Sequence, residues 1–275
     1  GLRAWKSEIN LHDAPYLIDH KFSAFPDPVI PAALYVEIVL AMSLDLSLSA
    51  APDVHNISFN NVLTLSSNES HRIRTRLLPQ ERPDEENQFQ ITIVQDFGQE
   101  VLLSDGCLNL KDNYEYGNQG TSPEEGALYF DILKSEMSKW SEEALERKRQ
   151  ESIFEFGPQF NLITDAWSND TDALSRICPT KEITKEASDY VIHPSLIDAC
   201  FQTIILLNDL AGKSVPRKIA HVTILQKPVY TESFYAHTKT VESEKTTTYS
   251  IALMDLYARR LVIIEKLLLA EISAD

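Results

Sequence analysis

Two segments of the chain read as helices with no polar face: IPAALYVEIVLAMSLDL from Ile30 and HPSLIDACFQTIILLNDL from His193. A proline stands near the start of each, Pro31 and Pro194, where a missing N–H costs nothing and the fixed φ suits a first helical turn. A helix on a protein surface shows one apolar stripe, whereas a helix apolar on nearly every side must be enclosed. Each segment therefore demands a wrapping, and the rest of the sequence has to supply it.

Strand-like alternation does so. It recurs in VHNISFNNVLTL from Val54, HRIRTRLL from His71, QFQITIVQ from Gln88 and EVLLSDGCLNL from Glu100. It returns in AHVTILQKPVY, SFYAHTKTV, TTTYSIALMDL and RRLVIIEKLLLAEI, the last long enough to read equally as a helix. Between the two sets lies a polar, turn-rich stretch, KDNYEYGNQGTSPEEG. After it, FDILKSEMSKWSEEALERKRQESIF has the charge and 3.6-residue period of an exposed helical pair. The pattern divides the chain into a first unit over 1–112, a linker over 113–126 and a second unit over 127–275. Each unit has several strands and one enclosed helix, so periodicity gives an α+β fold with antiparallel sheet, twice over.

Charge removes several function classes. Lys and Arg total 25 against 41 Asp and Glu, a formal charge of −16. That surplus repels phosphate backbones, so no nucleic acid is expected as a partner. The cysteines, Cys107, Cys178 and Cys200, are far apart, with no CxxC pair and no histidine cluster at metal-ligand spacing, so no metal site is expected. No apolar run reaches the roughly 18 to 20 residues that span a bilayer, and GLRAWKSEINLH lacks a signal-peptide core. The expectation is a cytoplasmic protein with no membrane partner. The local basic clusters, Arg147–Arg149 and Lys213–Lys218, offer docking points for a partner, although ordinary solvated charges account for them more simply.

Two polar residues stand where apolar ones belong. Asp198 falls in the first turns of the second enclosed helix, flanked by Leu196, Ile197, Ala199 and Cys200. The helix dipole explains a carboxylate at that end but not its apolar neighbours. Buried there, it must be hydrogen-bonded or have its pKa raised until it stays protonated. His20 lies in PYLIDHKFSAFPDPVIP, the segment leading into the first enclosed helix. His12, His55, His71, His221 and His237 read as ordinary surface or hydrogen-bonded histidines.

Four stretches carry a family resemblance. DHKFSAFPDPVIPAALYVE resembles an HxxxGxxxxP motif running into a central helix, FGPQFNLITDAW resembles YGPxFxxL, HPSLIDACFQ resembles HPxLLDAxxQ, and IALMDLYARRLVIIEKLLL resembles a closing strand pair. Over essentially its whole length the chain resembles the dehydratase domain of a modular polyketide synthase. The resemblance implies a double hot-dog fold, two tandem units in which an antiparallel sheet wraps a central helix. It implies His20 as catalytic base and Asp198 as catalytic acid, with Gln202, Pro31, Ala32, Ala33, Phe156, Gly157, Pro158 and Phe160 binding or orienting substrate. The implied reaction removes water from a β-hydroxyacyl thioester to give the α,β-unsaturated thioester. The substrate would ride on the phosphopantetheine arm of an acyl carrier protein, with no cofactor belonging to the domain itself. Neighbouring synthase domains, and a second copy of this chain in a homodimer, are the other partners implied.

The chain departs from the motif at several points. Ala24 stands at the glycine position, Pro31 comes eleven residues after His20 where nine is usual, Phe156 replaces a tyrosine, LSDGCL replaces a His-Ala-x-Gly stretch, and the connection from Ser138 to Ser152 is long. Changes next to the site leave two further readings open: a dehydratase-fold pyran-forming cyclase or double-bond-shifting isomerase, and an inactive docking module. The retained Asp198 favours dehydration, because only loss of hydroxide needs an acid there.

Overall fold

The enclosed helices organise the molecule as their composition requires. The computed structural model describes residues 3–46, 53–78, 87–109, 122–207, 212–230, 232–243 and 246–271. In the first half, β1 (Arg3–Ile9) and the short β2 (His20–Phe22) precede α1 (Ala32–Leu46), followed by β3 (Asp53–Phe59), β4 (His71–Leu77), β5 (Asn87–Val94) and β6 (Glu100–Asn109). The second half opens with α2 (Pro123–Ser135), β7 (Ser138–Lys139), α3 (Glu142–Gln150) and β8 (Phe154–Phe156). It continues with β9 (Ile163–Ser168), β10 (Asp172–Ile177), α4 (Lys181–Glu186), α5 (Pro194–Gln202), β11 (Ser214–Ile224), β12 (Phe234–Glu242), β13 (Thr247–Met254) and β14 (Arg260–Glu271).

The strands form one antiparallel sheet in the order β1-β4-β5-β6-β3-β11-β14-β13-β12-β10-β9-β7, with β2 and β8 paired apart from it. Each half of the sheet covers one apolar helix, α1 or α5, the double hot-dog arrangement. The halves are joined where β3 pairs with β11, Ile57 opposite Ile219 and His55 opposite His221. Both isoleucines are fully buried, and a single core runs through the two halves and around both helices. Of the segment read as linker, 113–121 lie outside the described residues, while Ser122 caps α2 and Pro123–Gly126 form its first turn.

Local chemistry explains where elements differ from expectation. The ambiguous last segment is a strand: β-branched Val262, Ile263 and Ile264 favour it, and Lys266, at φ 52°, makes the irregularity that absorbs its broken alternation. The second enclosed helix is shorter than its apolar run. After Gln202 the chain tightens into a 3₁₀ turn over Thr203–Leu206, where the Thr203 hydroxyl donates to the Ala199 carbonyl at 3.1 Å. Nor is the helical pair simply exposed. Phe130 of α2 stacks on Tyr235 at 4.0 Å and closes a second small core with Leu174 and Met254, and Leu145 of α3 is buried in the main one.

Candidate active site

His20 reaches its position through pairing between the two halves. β2 lies antiparallel to β8 with His20 opposite Phe156, so the segment leading into α1 is held by the FGPQF stretch more than a hundred residues later. Asp19 strengthens the join: its carbonyl accepts from the Gly157 N–H at 2.8 Å and its carboxylate from the Gln159 N–H at 2.8 Å. A Cβ on residue 157 would sit 2.3 Å from Asp19 Oδ1, which is why glycine stands there. On its other side His20 exchanges bonds with Val29. The Val29 N–H donates to the His20 carbonyl at 2.8 Å, and His20 Nδ1 donates to the Val29 carbonyl at 2.7 Å. A carbonyl can only accept, so Nδ1 carries the hydrogen and the neutral ring presents a bare Nε2.

Asp198 sits in α5, whose N-terminus is fixed by Pro194 and by His193 Nδ1 accepting from the Ser195 N–H at 3.2 Å. One turn on, Gln202 donates to Asp198 Oδ2 at 2.8 Å and to the Phe160 carbonyl at 2.9 Å. Asp198 Oδ1 faces His20 Nε2 across 3.7 Å. That gap exceeds a hydrogen bond. Both groups are buried, at 2% and 6% exposure, and the His20 ring is packed by Phe22, Phe156 and Phe160 at centroid distances of 5.4, 5.5 and 4.9 Å. Burial lowers the pKa of His20, against the opposing pull of Asp198 and the Val29 bond, and raises that of Asp198, against His20 and Gln202. Both shifts favour the neutral forms: a bare imidazole nitrogen facing a carboxylic acid. Because Oδ2 accepts from Gln202, the acid proton belongs on Oδ1, the oxygen nearer His20.

These two groups line a cavity of about 160 Å³ whose remaining walls are largely apolar, including Tyr35, Phe59, Phe201 and Ile205, and whose exposed mouth carries Asn61, Val62 and Arg217. Of the residues expected to bind or orient substrate, Ala32, Phe156 and Gln202 line it. Pro31, Ala33, Gly157, Pro158 and Phe160 do not. Pro31 and Ala33 are buried at the head of α1, and Gly157 is occupied by its approach to Asp19. Pro158 is exposed, and Phe160 packs behind His20 while its carbonyl holds Gln202. Ala24 is exposed with no left-handed φ, so nothing at that position requires glycine, and a turn from Phe22 to Phe25 absorbs the longer spacing to Pro31.

Sequence reasoning missed Tyr35, Phe59 and Phe201 because apolar lining and apolar core look alike in sequence, whereas Arg217 falls within the basic cluster Lys213–Lys218. It also missed Glu37, buried in α1, whose carboxylate accepts from the N–H groups of Val191 and Ile192 at 2.7 and 2.9 Å and so ties α1 to the segment that starts α5. Burial pushes Glu37 up to about 7. Nearby Cys200 has its thiol pushed well up by burial, so it stays protonated and is no nucleophile. Among the described residues, the one group of His, Cys, Asp and Glu side chains close enough to share a metal ion lies outside the cavity, at Asp53, His55 and His221. No described helix is long and apolar enough to cross a membrane.

Comparisons with known proteins agree with one another. A family model described as the polyketide synthase dehydratase domain matches residues 1–95, and one described as the polyketide synthase dehydratase N-terminal domain matches 134–275. The low-reducing polyketide synthase drtA of Aspergillus calidoustus is 25% identical over 251 residues, which cover 80% of this chain and 10% of that protein. The chain thus spans about a tenth of the length of that curated relative. Among solved structures, the dehydratase domain from the CurF module of curacin polyketide synthase superposes with a TM-score of 0.84 at 19% identity, covering 98% of this chain and 94% of that one. Two CurK dehydratases described as inactive mutants, one Asp-to-Asn and the other His-to-Phe, superpose with TM-scores of 0.83 and 0.82, each at 20% identity and covering 99% of this chain and 94% of theirs.

Proposed function

Since the chain belongs to the polyketide synthase dehydratase family, we propose that it eliminates water from a β-hydroxyacyl thioester carried by an acyl carrier protein, with His20 as base and Asp198 as acid. The observation that carries this reading is the pair itself: His20 Nε2 and Asp198 Oδ1 face each other across 3.7 Å, buried in the wall of a largely apolar cavity that favours a neutral base and a neutral acid. In the proposed step, Nε2 takes the proton from Cα, the Cα=Cβ bond forms, the Cβ–O bond breaks, and Oδ1–H protonates the departing hydroxide to give water. Returning the proton from His20 to Asp198 resets the site. Backbone N–H groups at the head of α1, where Ala32 lines the cavity, are suited to polarise the thioester carbonyl as negative charge builds on it. Arg217, exposed at the mouth with its guanidinium held by the Phe59 carbonyl, is placed to meet the phosphate of a phosphopantetheine arm. The inactivity of the His-to-Phe and Asp-to-Asn forms of the CurK dehydratase supports this assignment of roles.

Plain dehydration is favoured over ring closure because Asp198, the acid that loss of hydroxide needs, is retained facing His20, and because Ala24 itself is exposed and lines no part of the cavity. The test is to incubate the purified domain with a carrier-bound β-hydroxyacyl substrate bearing a distal hydroxyl and to follow product mass and retention. Loss of one water without cyclisation is expected. His20→Ala and Asp198→Asn should each lower turnover by about 10² to 10⁴-fold while leaving the unfolding midpoint within a few degrees. Dehydration followed by a retention shift at constant mass would assign a cyclase instead. Near-normal turnover in either variant would remove the two-residue mechanism.

A further inference from the structure

The join between the two half-sheets carries a second group of titratable side chains, none of which lines the catalytic cavity. His55 on β3 stands opposite His221 on β11, Asp53 stands opposite Thr223, and His221 stands opposite Glu265 on β14. The two imidazoles are stacked, 4.9 Å apart and 9° from parallel. Asp53 is buried, at 4% exposure. Its Oδ1 makes a close contact with His221 Nε2, and its Oδ2 lies 3.6 Å from His55 Nε2, a buried nitrogen with no hydrogen-bond partner. His221 Nδ1 lies 3.1 Å from Glu265 Oε2. An ionised carboxylate only accepts, so Nδ1 holds a hydrogen. In the neutral ring that leaves the lone pair of Nε2 aimed at a carboxylate oxygen, an arrangement that requires positive charge between the two atoms.

We propose that Asp53, His55 and His221 bind a divalent transition-metal ion of the zinc type through one carboxylate oxygen and the two Nε2 atoms. The donor set suits it, since imidazole and carboxylate together are ligands of zinc. The ligand atoms already lie within 4.8 Å of one another. Bonds of about 2.0–2.2 Å set tetrahedral ligands about 3.4 Å apart, so side-chain shifts of roughly 1 Å, which draw the wider pairs in and open the close contact of Asp53 with His221, fit the group to an ion. The surroundings supply what such a site needs. Glu265 receives the other N–H of His221, fixing the tautomer that presents Nε2 to an ion. The half-exposed rings leave a solvent side for a fourth ligand, and a chain of charge −16 attracts cations. Since β3 belongs to the first half and β11 to the second, the ion would fasten the two halves together and take no part in the elimination. Sequence spacing could not reveal this group, because His221 is brought to Asp53 and His55 only by the pairing of β3 with β11.

The test uses the whole domain, freed of metal with a chelator and then titrated with Zn²⁺ or Co²⁺. One equivalent should bind, Co²⁺ should develop visible ligand-field bands, and Zn²⁺ at a hundredfold excess over Kd should raise the unfolding midpoint by roughly 5 °C. His55→Gln and His221→Gln should abolish both the spectrum and the midpoint shift. Glu265→Gln should weaken binding about 10- to 100-fold, and His12→Gln, at an exposed histidine elsewhere, should leave both readouts intact. If the metal-free protein takes up no equivalent, or if the response to zinc persists in His55→Gln and His221→Gln, the site is not a metal site. His221 would then be an imidazolium bridging Asp53 and Glu265.

Discussion

At the scale of single residues, burial assigns the proton positions. The proposed elimination needs His20 unprotonated and Asp198 protonated, and burial moves each pKa in the direction that fills this state. The pair titrates as a unit. We therefore expect kcat/KM to be bell-shaped in pH, with the acid limb below the ordinary imidazole value of about 6.5 and the alkaline limb above the ordinary carboxylate range of about 4. A rate that kept rising with pH, as a free carboxylate base would give, counts against the assignment. Gly157 supports the same pair from a distance. In Gly157→Ala the new methyl would drive the Asp19 carboxylate away from the Gln159 N–H and loosen β2 against β8. The expected result is about 1–3 kcal/mol of lost stability by denaturant titration. Because His20 shifts with the strand, kcat should also fall for the molecules that remain folded.

At the scale of elements, the N-terminus of α5 is a pH-dependent joint. His193 caps it by accepting at Nδ1 from the Ser195 N–H, and burial lowers its pKa to about 4. A base whose folded pKa is depressed supplies stability above its unfolded value of about 6.5, and that stability is lost as pH falls through 6.5 toward 4. The full shift is on the order of 3 kcal/mol. His193→Asn keeps a capping acceptor without the titration, so urea unfolding at pH 7.5 and 4.5 should show a clearly smaller acid loss in the variant. An equal loss would place the acid sensitivity elsewhere. The elements themselves were unevenly legible in the sequence. α1 and α5 stand out because an unbroken apolar surface has few other solutions, and β3 to β6 follow from plain alternation. β1 escapes notice because most of it is exposed, and β9 and β10 because each is short and their turn, Asn169–Thr171, interrupts the pattern. Within the site, His20, Asp198 and Gln202 stand in recognisable motifs. Glu37 does not, since a lone acidic residue in an apolar helix carries no local sign of the two N–H groups it meets 154 and 155 residues away.

At the scale of the whole molecule, one large sheet and one main core unite two units that the sequence presents as successive. Ile219, fully buried on β11 and opposite Ile57 across the join, belongs to both. Ile219→Ala should cost about 2–5 kcal/mol and shift a single unfolding transition, with near- and far-ultraviolet circular dichroism remaining coincident. Two separated transitions would mean that the halves unfold independently. The pairing of β3 with β11 also has a metrical consequence. His20 belongs to one half and Asp198 to the other, so their separation depends on how the strands that join the halves, β3 with β11 and β2 with β8, are aligned. Strand alignment changes only in whole residues, about 3.3 Å at a time, and each step turns the side chains to the opposite face. A single step is nearly the whole distance from His20 Nε2 to Asp198 Oδ1. The spacing of the proposed acid and base is thus quantised: gradual drift of one half against the other is closed to it, and neighbouring registers would bury the wrong face before they moved the pair apart.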